Sequence, residues 1–301
     1  MIDRTEYVIN LTNNHGFPKK SISDLISSYN KIKNCEKALK IFERQVALYE
    51  KNLMFDYNMA FQNIKTACAM CGTTEETGLL LFLICLTEHL QDLYKQNNID
   101  NSLFDGVIFD IKSKNSECYT IRKVYGTFVE YWFPRFFDLT RFAMGRLQFE
   151  PIFVSNDINV ENIHIESGSL LINVHIPSGA PLVTEDCIKS FQAAYDMFSP
   201  FFDNGIVSFY CGSWMLSPYN RTILGENSNI IKFMNFFKIY EADKTIQGDL
   251  WRVFGMEDCS DYNLLPQNNT LQKAYAKCVQ TNQIPVFGRG IMIMMNREIV
   301  F

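Results

Sequence analysis

Apolar residues recur at three- and four-residue spacing through the first 144 positions; after that they recur in runs and alternation. In the first half, Ser21 and Ser23 can cap a helix through Ile26, Tyr29 and Ile32. Helices are predicted from Glu36 to Leu53 and from Phe55 to Met70, with Gly72 as a C-cap. Thr74-Glu75-Glu76-Thr77 opens a fourth, its acids in the first turn where the helix dipole favours them. Two more are predicted over Ser116 to Tyr131 and from Pro134 to Gly145.

After Gly145 the period changes. Arg146 to Val154 alternates like a strand. Ile163-His164-Ile165 and Ser169 to Ile176, joined through Ser167-Gly168, read as a hairpin. A proline-bounded turn follows, Pro177-Ser178-Gly179-Ala180-Pro181, and then a helix from Glu185 to Phe198 capped by Thr184. Gly205 to Leu216 is an apolar, central strand. Asn227 to Phe236 reads as helix, Phe237 to Glu241 as extended, and Leu250 to Phe254 as a short strand. A helix over Thr270 to Thr281 and a strand over Gly290 to Met295 complete the order. The pattern predicts an all-helical domain over 1–144. Over 145–301 it predicts an α+β or α/β domain, a mixed sheet flanked by helices.

A chain of 301 residues is long enough for two such cores. The longest apolar run, Gly78 to Leu86, lies between Glu75, Glu76 and Glu88. It is far short of the roughly 20 residues that cross a bilayer, so it reads as a buried core helix. The net charge of -5 and the absence of a basic face with interleaved aromatics argue against nucleic acid. The polar start carries no export signal, so the nine scattered cysteines read as reduced thiols in a cytoplasmic protein.

Several motifs exclude more than they assign. Cys68-x-x-Cys71 closes a helix and has no second pair at metal-ligand spacing, so no metal is expected. Gly288-Arg289-Gly290 reads as a turn before a strand and not as a nucleotide loop. Cys211-Gly212-Ser213-Trp214 lies within a strand with no helix behind it, unlike a serine nucleophile elbow. His175 is more suggestive. It ends an apolar strand, where ligands bind in open α/β sheets, and an imidazole there can serve as a general base. It can equally be bonded to backbone at the strand end. Alternation puts Cys211 and Ser213 on one strand face and Gly212 and Trp214 on the other, as core or as cleft lining. Arg146, Gln148 and Glu150 share a face that is either solvated, the simpler reading, or a polar cleft.

Four stretches carry a family resemblance: Arg141 to Glu150, Asn173 to Leu182, Tyr210 to Leu216 and Asn227 to Phe233. They resemble the GNAT-like C-terminal domain of a two-domain bacterial acyltransferase family with a helical N-terminal domain. The resemblance implies a GNAT-like sheet in which two neighbouring parallel strands, Leu170–Ile176 and Gly205–Leu216, splay to hold an acyl carrier. It implies acyl-CoA or acetyl-CoA as co-substrate, an amine acceptor, and no membrane. Self-association as a homodimer stays open. The implied catalytic residues are His175 as base, with Ser213 or Cys211 returning the proton. Ile176, Pro177, Ser178 and Gly179 would hold the donor, and Arg146, Gln148, Glu150 and Trp214 the acceptor. The usual phosphate loop is replaced by a turn with two prolines, followed by Glu185 and Asp186. The alternative is a catalytically silent GNAT-like module that binds a small acyl ligand or a protein partner. A hydrolase built on Cys211 is a third reading.

Overall fold

The computed structural model describes residues 3–51, 55–243, 250–257, 259–281 and 287–300. Two compact units emerge, Met1–Phe142 and Ala143–Phe301. The first is helical: α1 (Thr5–Asn14), α2 (Lys19–Lys33), α3 (Glu36–Lys51), α4 (Tyr57–Cys71), α5 (Glu75–Gln96), α6 (Asn101–Arg122) and the single turn α7 (Pro134–Phe137). The apolar run 78–86 lies in α5 and is buried on every side, because the other helices pack around it. Gly72 ends α4 in the left-handed conformation, its N–H returning to the Cys68 carbonyl. Arg4, 3% exposed, is held by Glu50, Glu88 and Glu43 at 2.6, 3.0 and 3.6 Å, so its buried charge is compensated.

Several boundaries differ from the sequence reading. α2 starts at Lys19, after Pro18, because proline supplies the extended residue before a helix; Ser21 is buried within it instead of capping. Of the predicted helix over 116–131 only 116–122 is helical, as the end of α6, which begins at Asn101 with Asp100 accepting the Ser102 N–H and stops where Lys123 turns left-handed. The helix after Pro134 stops at Phe137, and 142–144 is already strand. Leu53 lies outside the described residues.

The second unit holds β1 (Phe142–Met144), β2 (Leu147–Phe153), β3 (Ile158–Val160), β4 (Ile163–Ile165) and β5 (Leu170–His175). Helix α8 (Thr184–Phe198) and strand β6 (Ile206–Ser213) follow. Then come α9 (Asn220–Ile223), α10 (Asn229–Met234), β7 (Lys238–Asp243), α11 (Leu250–Phe254), α12 (Thr270–Gln280), β8 (Phe287–Met295) and β9 (Glu298–Ile299). The sheet order is β1-β2-β5-β6-β8-β7, with β9 on β8. β5 and β6 run parallel, whereas β2–β5, β6–β8 and β7–β8 are antiparallel.

Here too the local reading needed correction. Ile163-His164-Ile165 pairs with β3, not with β5, in a separate two-stranded sheet. The partner of β5 is β2, in register from Gln148↔His175 to Phe153↔Leu170. Leu250–Phe254 is helical, and Val253 and Phe254 pack in a cluster with Trp214 and Tyr275. α8 has no side-chain cap: Thr184 is its first residue and Val183 precedes it. Gly288-Arg289-Gly290 is inside β8, opposite Ser213, Gly212 and Cys211. Glycine is needed there because a Cβ at Gly288 would lie 2.1 Å from the Leu216 carbonyl oxygen and one at Gly290 2.8 Å from Phe237 Cβ.

Register sets two faces. On one, Phe149 of β2 and Phe209 of β6 pack edge-on against Phe191 of α8, with ring centroids 5.8 and 5.5 Å away. On the other, the β3–β4 hairpin covers the apolar end, burying Ile158, Val160 and Ile165 against Leu171, Ile291 and Ile293.

Candidate active site

The parallel ladder between β5 and β6 is short. It pairs Ile172↔Phe209 and Asn173↔Tyr210, whereas β6 pairs with β8 over its whole length, Ile206 to Ser213. Beyond Asn173 and Tyr210 the two strands part, and the C-terminal ends of both flank the opening.

Polar residues line the sheet face beside that opening. The cross-strand pairs Gln148↔His175 and Glu150↔Asn173 put all four side chains on the face opposite α8. His175 Nε2 lies 3.0 Å from Glu150 Oε1, with side-chain exposures of 19% and 8%. Asn173 Nδ2 donates to the same carboxylate oxygen at 3.3 Å and lies 3.2 Å from His175 Nε2. A carboxylate only accepts, so the network assigns the proton to Nε2 and makes Nδ1 the basic nitrogen. Gln148 is 1% exposed, and its Oε1 has no hydrogen-bond partner among the described residues. The Gln148–Glu150 face is therefore a buried polar lining and not the solvated face.

Tyr210 and Arg289 share this face through the pairs Asn173↔Tyr210 and Gly212↔Arg289. A Cβ on Gly212 would lie 2.8 Å from the Tyr210 hydroxyl, so the missing side chain leaves room for that ring. Sequence reading missed both residues. Alternation within 206–213 places Tyr210 with Gly212, but only the register connects that face to His175.

Cys211 and Ser213 are not brought to His175. They alternate onto the α8 face, where Cys211 is fully buried and desolvation pushes its thiol far up from its ordinary range. Ser213 Oγ accepts the Met215 N–H at 3.1 Å, capping the short turn after β6. Trp214 is buried edge-on against Tyr275 in the cluster with Val253 and Phe254.

Ile176, Pro177, Ser178 and Gly179 form the turn between β5 and α8, with Gly179 at φ +93°. Arg146 reaches this turn. Its Nε donates to the Pro181 carbonyl at 2.8 Å and its two terminal nitrogens to the Pro177 and Ala180 carbonyls at 2.8 and 2.9 Å. Burial depresses its pKa from the ordinary arginine value. Gly145, at φ +64°, makes the tight turn that presents Arg146, whose N–H donates to Ser190 Oγ on α8 at 2.8 Å. No three His, Cys, Asp or Glu residues among the described residues are grouped to hold a metal. No helix among them is long and apolar enough to cross a membrane.

A mixed sheet whose parallel pair parts beside a polar face, with the crossover helix α8 packed behind it, is a GNAT-like sheet. The chain belongs to the family described as the GNAT-like C-terminal domain, which matches residues 141–292, half of its length. No curated protein matches it in sequence. Solved structures share the fold at low identity. One, a mutant acyltransferase in complex with octanoyl-CoA, has a TM-score of 0.76 and 16% identity over 97% of this chain and 88% of that one. A second, an acyltransferase in complex with decanoyl-CoA and teicoplanin, has a TM-score of 0.75 and 16% identity over 97% and 88%. A third, in complex with CoA and 10C-teicoplanin, gives 0.73 and 16% over 94% and 86%.

Proposed function

We propose that this chain is an acyltransferase that moves an acyl group from acyl-CoA to an amine. The observation that carries the reading is the buried Glu150–His175 pair beside the opening between β5 and β6. The acyl-CoA complexes of the structural relatives support the donor. The lining supports an amine acceptor. Gln148 Oε1, buried and without a partner among the described residues, and the Glu150 carboxylate are hydrogen-bond acceptors, which suits a group that carries N–H.

In this reading the thioester carbonyl sits where β5 and β6 part. Backbone N–H groups released from the ladder there would stabilise the oxyanion. The amine nitrogen bonds to the acyl carbon while His175 Nδ1 takes its proton, and Glu150 stabilises the imidazolium that forms. The C–S bond then breaks, and the departing thiolate receives the proton that His175 took, either directly or through the Tyr210 hydroxyl, which His175 then reprotonates. The products are an amide and free CoA. Ile176, Pro177, Ser178 and Gly179 contribute to donor binding.

Thermal denaturation with CoA, acetyl-CoA, octanoyl-CoA and decanoyl-CoA tests the donor. A ligand at about 100 times its dissociation constant adds about 2.7 kcal/mol and raises the midpoint visibly. No shift with any of the four would refute the reading. Binding without turnover of any amine would favour a silent acyl-binding module.

A further inference from the structure

The outer strand β7 borders a second cleft, of about 570 Å³. The sheet order β5-β6-β8-β7 puts three strand spacings, roughly 14 Å, between β7 and the strand that ends in His175. Four polar side chains from four places in the chain line this cleft. Arg221 comes from α9, Asn235 ends α10, Lys238 opens β7, and Glu161 lies in the turn of the β3–β4 hairpin. Pro218 and Phe237 add apolar wall.

The charges of these side chains do not cancel. Lys238 Nζ lies 3.2 Å from Glu161 Oε2, so the ammonium is compensated. Arg221 Nη1 donates to Asn235 Oδ1 at 2.9 Å, a neutral acceptor. That bond uses one of five guanidinium N–H donors and orients the planar fork. Two cations and one carboxylate leave one positive charge in the cleft, in a chain whose net charge is -5. Glu161 is held there against its own backbone preference. It is the first of the two residues that join β3 to β4, and it sits at φ +51°, where glycine carries no steric cost and glutamate does. The strained residue brings a carboxylate from an exposed turn onto Lys238, as a tethered ligand would.

We propose that this cleft binds a monocarboxylate with an apolar body, and that Glu161 is the tethered stand-in for its head group. The ligand carboxylate makes a two-bond pair with the Arg221 fork and takes the place of Glu161 on Lys238, while its hydrocarbon lies on Pro218 and Phe237. A planar carboxylate matches the fork, and its single charge matches the excess of one positive charge. A phosphate dianion would exceed that charge and lacks the planar match. The site is separate from the acyl-transfer reading and does not depend on it.

The probe is octanoate, added to the full chain and followed by calorimetry and by the Asn235 side-chain and Glu161 backbone N–H signals in proton–nitrogen spectra. Octanoate is expected to move both signals, and octanol and octylamine to move neither. Arg221→Met and Lys238→Met are expected to weaken octanoate binding about tenfold or more, and Glu161→Gln to strengthen it about threefold or more by removing the competing carboxylate. Binding that none of the three substitutions changes lies elsewhere on the protein and overturns the proposal. Weaker binding in Glu161→Gln overturns the stand-in role, and equal shifts with octanol or with inorganic phosphate overturn the ligand class. If a substituted chain does not fold, the wild-type spectra decide: octanoate that moves neither the Asn235 nor the Glu161 signal refutes the site.

Discussion

Replacing His175 with alanine removes the proposed base and takes one hydrogen-bond donor from Glu150, to which the Asn173 amide also donates. General-base catalysis contributes about a hundred- to ten-thousandfold, so kcat for amine acylation is expected to fall by that factor, about 3–5 kcal/mol of barrier. Glu150→Gln is the sharper perturbation because it keeps shape and removes only charge. At 3.0 Å and an effective dielectric of about 20, carboxylate and imidazolium attract by about 5 kcal/mol. Much of that is lost to solvent, since the imidazole is 19% exposed, and a glutamine oxygen still accepts the Nε2 proton. What remains corresponds to about a ten- to hundredfold loss in kcat/KM. The sign of the pH effect separates this role from a packing role. In the proposed mechanism His175 works unprotonated, and the Glu150 charge favours its protonated form, so removing the charge lets the imidazole lose its proton at lower pH. The acid limb of kcat/KM is therefore expected to move to lower pH in Glu150→Gln. The assay is steady-state release of free CoA across pH, with melting curves to establish folding. A folded His175→Ala enzyme within about threefold of wild-type kcat, or an acid limb unmoved in Glu150→Gln, would refute the pair as the catalytic base.

Three further outcomes probe the scaffold. Asn220 is fully buried; its amide donates to the Trp214 and Met215 carbonyls at 3.0 Å each and its Oδ1 accepts the Tyr275 hydroxyl at 2.6 Å. Asn220→Ala removes all three hydrogen bonds and is expected to cost about 3 kcal/mol, read as a melting point lower by about 6–12 °C. Gly288→Ala forces β8 away from the Leu216 carbonyl, and a loss of about 1–3 kcal/mol is expected in urea denaturation. Cys211 is fully buried with a raised thiol pKa, so mass mapping after iodoacetamide treatment at pH 8 should find it modified only in denaturant; modification in the folded protein would contradict its placement and revive a thiol hydrolase.

The long periodic helices and the strand ending in His175 were legible because their signals are local. The site was legible only in part, because its parts meet through register. Glu150 faces Asn173 across β2–β5, and the intervening residues form a hairpin of their own. Nearest-neighbour reasoning therefore paired β5 with Ile163-His164-Ile165, the adjacent strand in sequence, and left Glu150 on a solvated face. Alternation reports that Gln148 and Glu150 share a face but says nothing about what covers it. Leu250–Phe254 was misread because a five-residue segment with four apolar positions carries no decisive period. Gly288-Arg289-Gly290 was misread because glycine signals a turn and a close approach equally well, and the approaching group, Leu216, is 72 positions away in sequence.

β2 ties the two halves of the proposed chemistry together. Arg146, one residue before the strand, holds the turn after β5, while Gln148 and Glu150 within it face His175 and Asn173. Phe149 points the other way, against Phe191 and Phe209. Because side chains alternate with period two, the ring that anchors β2 to α8 also fixes which residues face the catalytic side. A one-residue slip would put Phe149 beside His175 and bury Glu150 against α8. The pattern around Phe149 is therefore a packing instruction and a functional one at once. A chain only 16% identical to its structural relatives can thus keep the sheet as long as this alternation is kept, whatever residues its polar face carries.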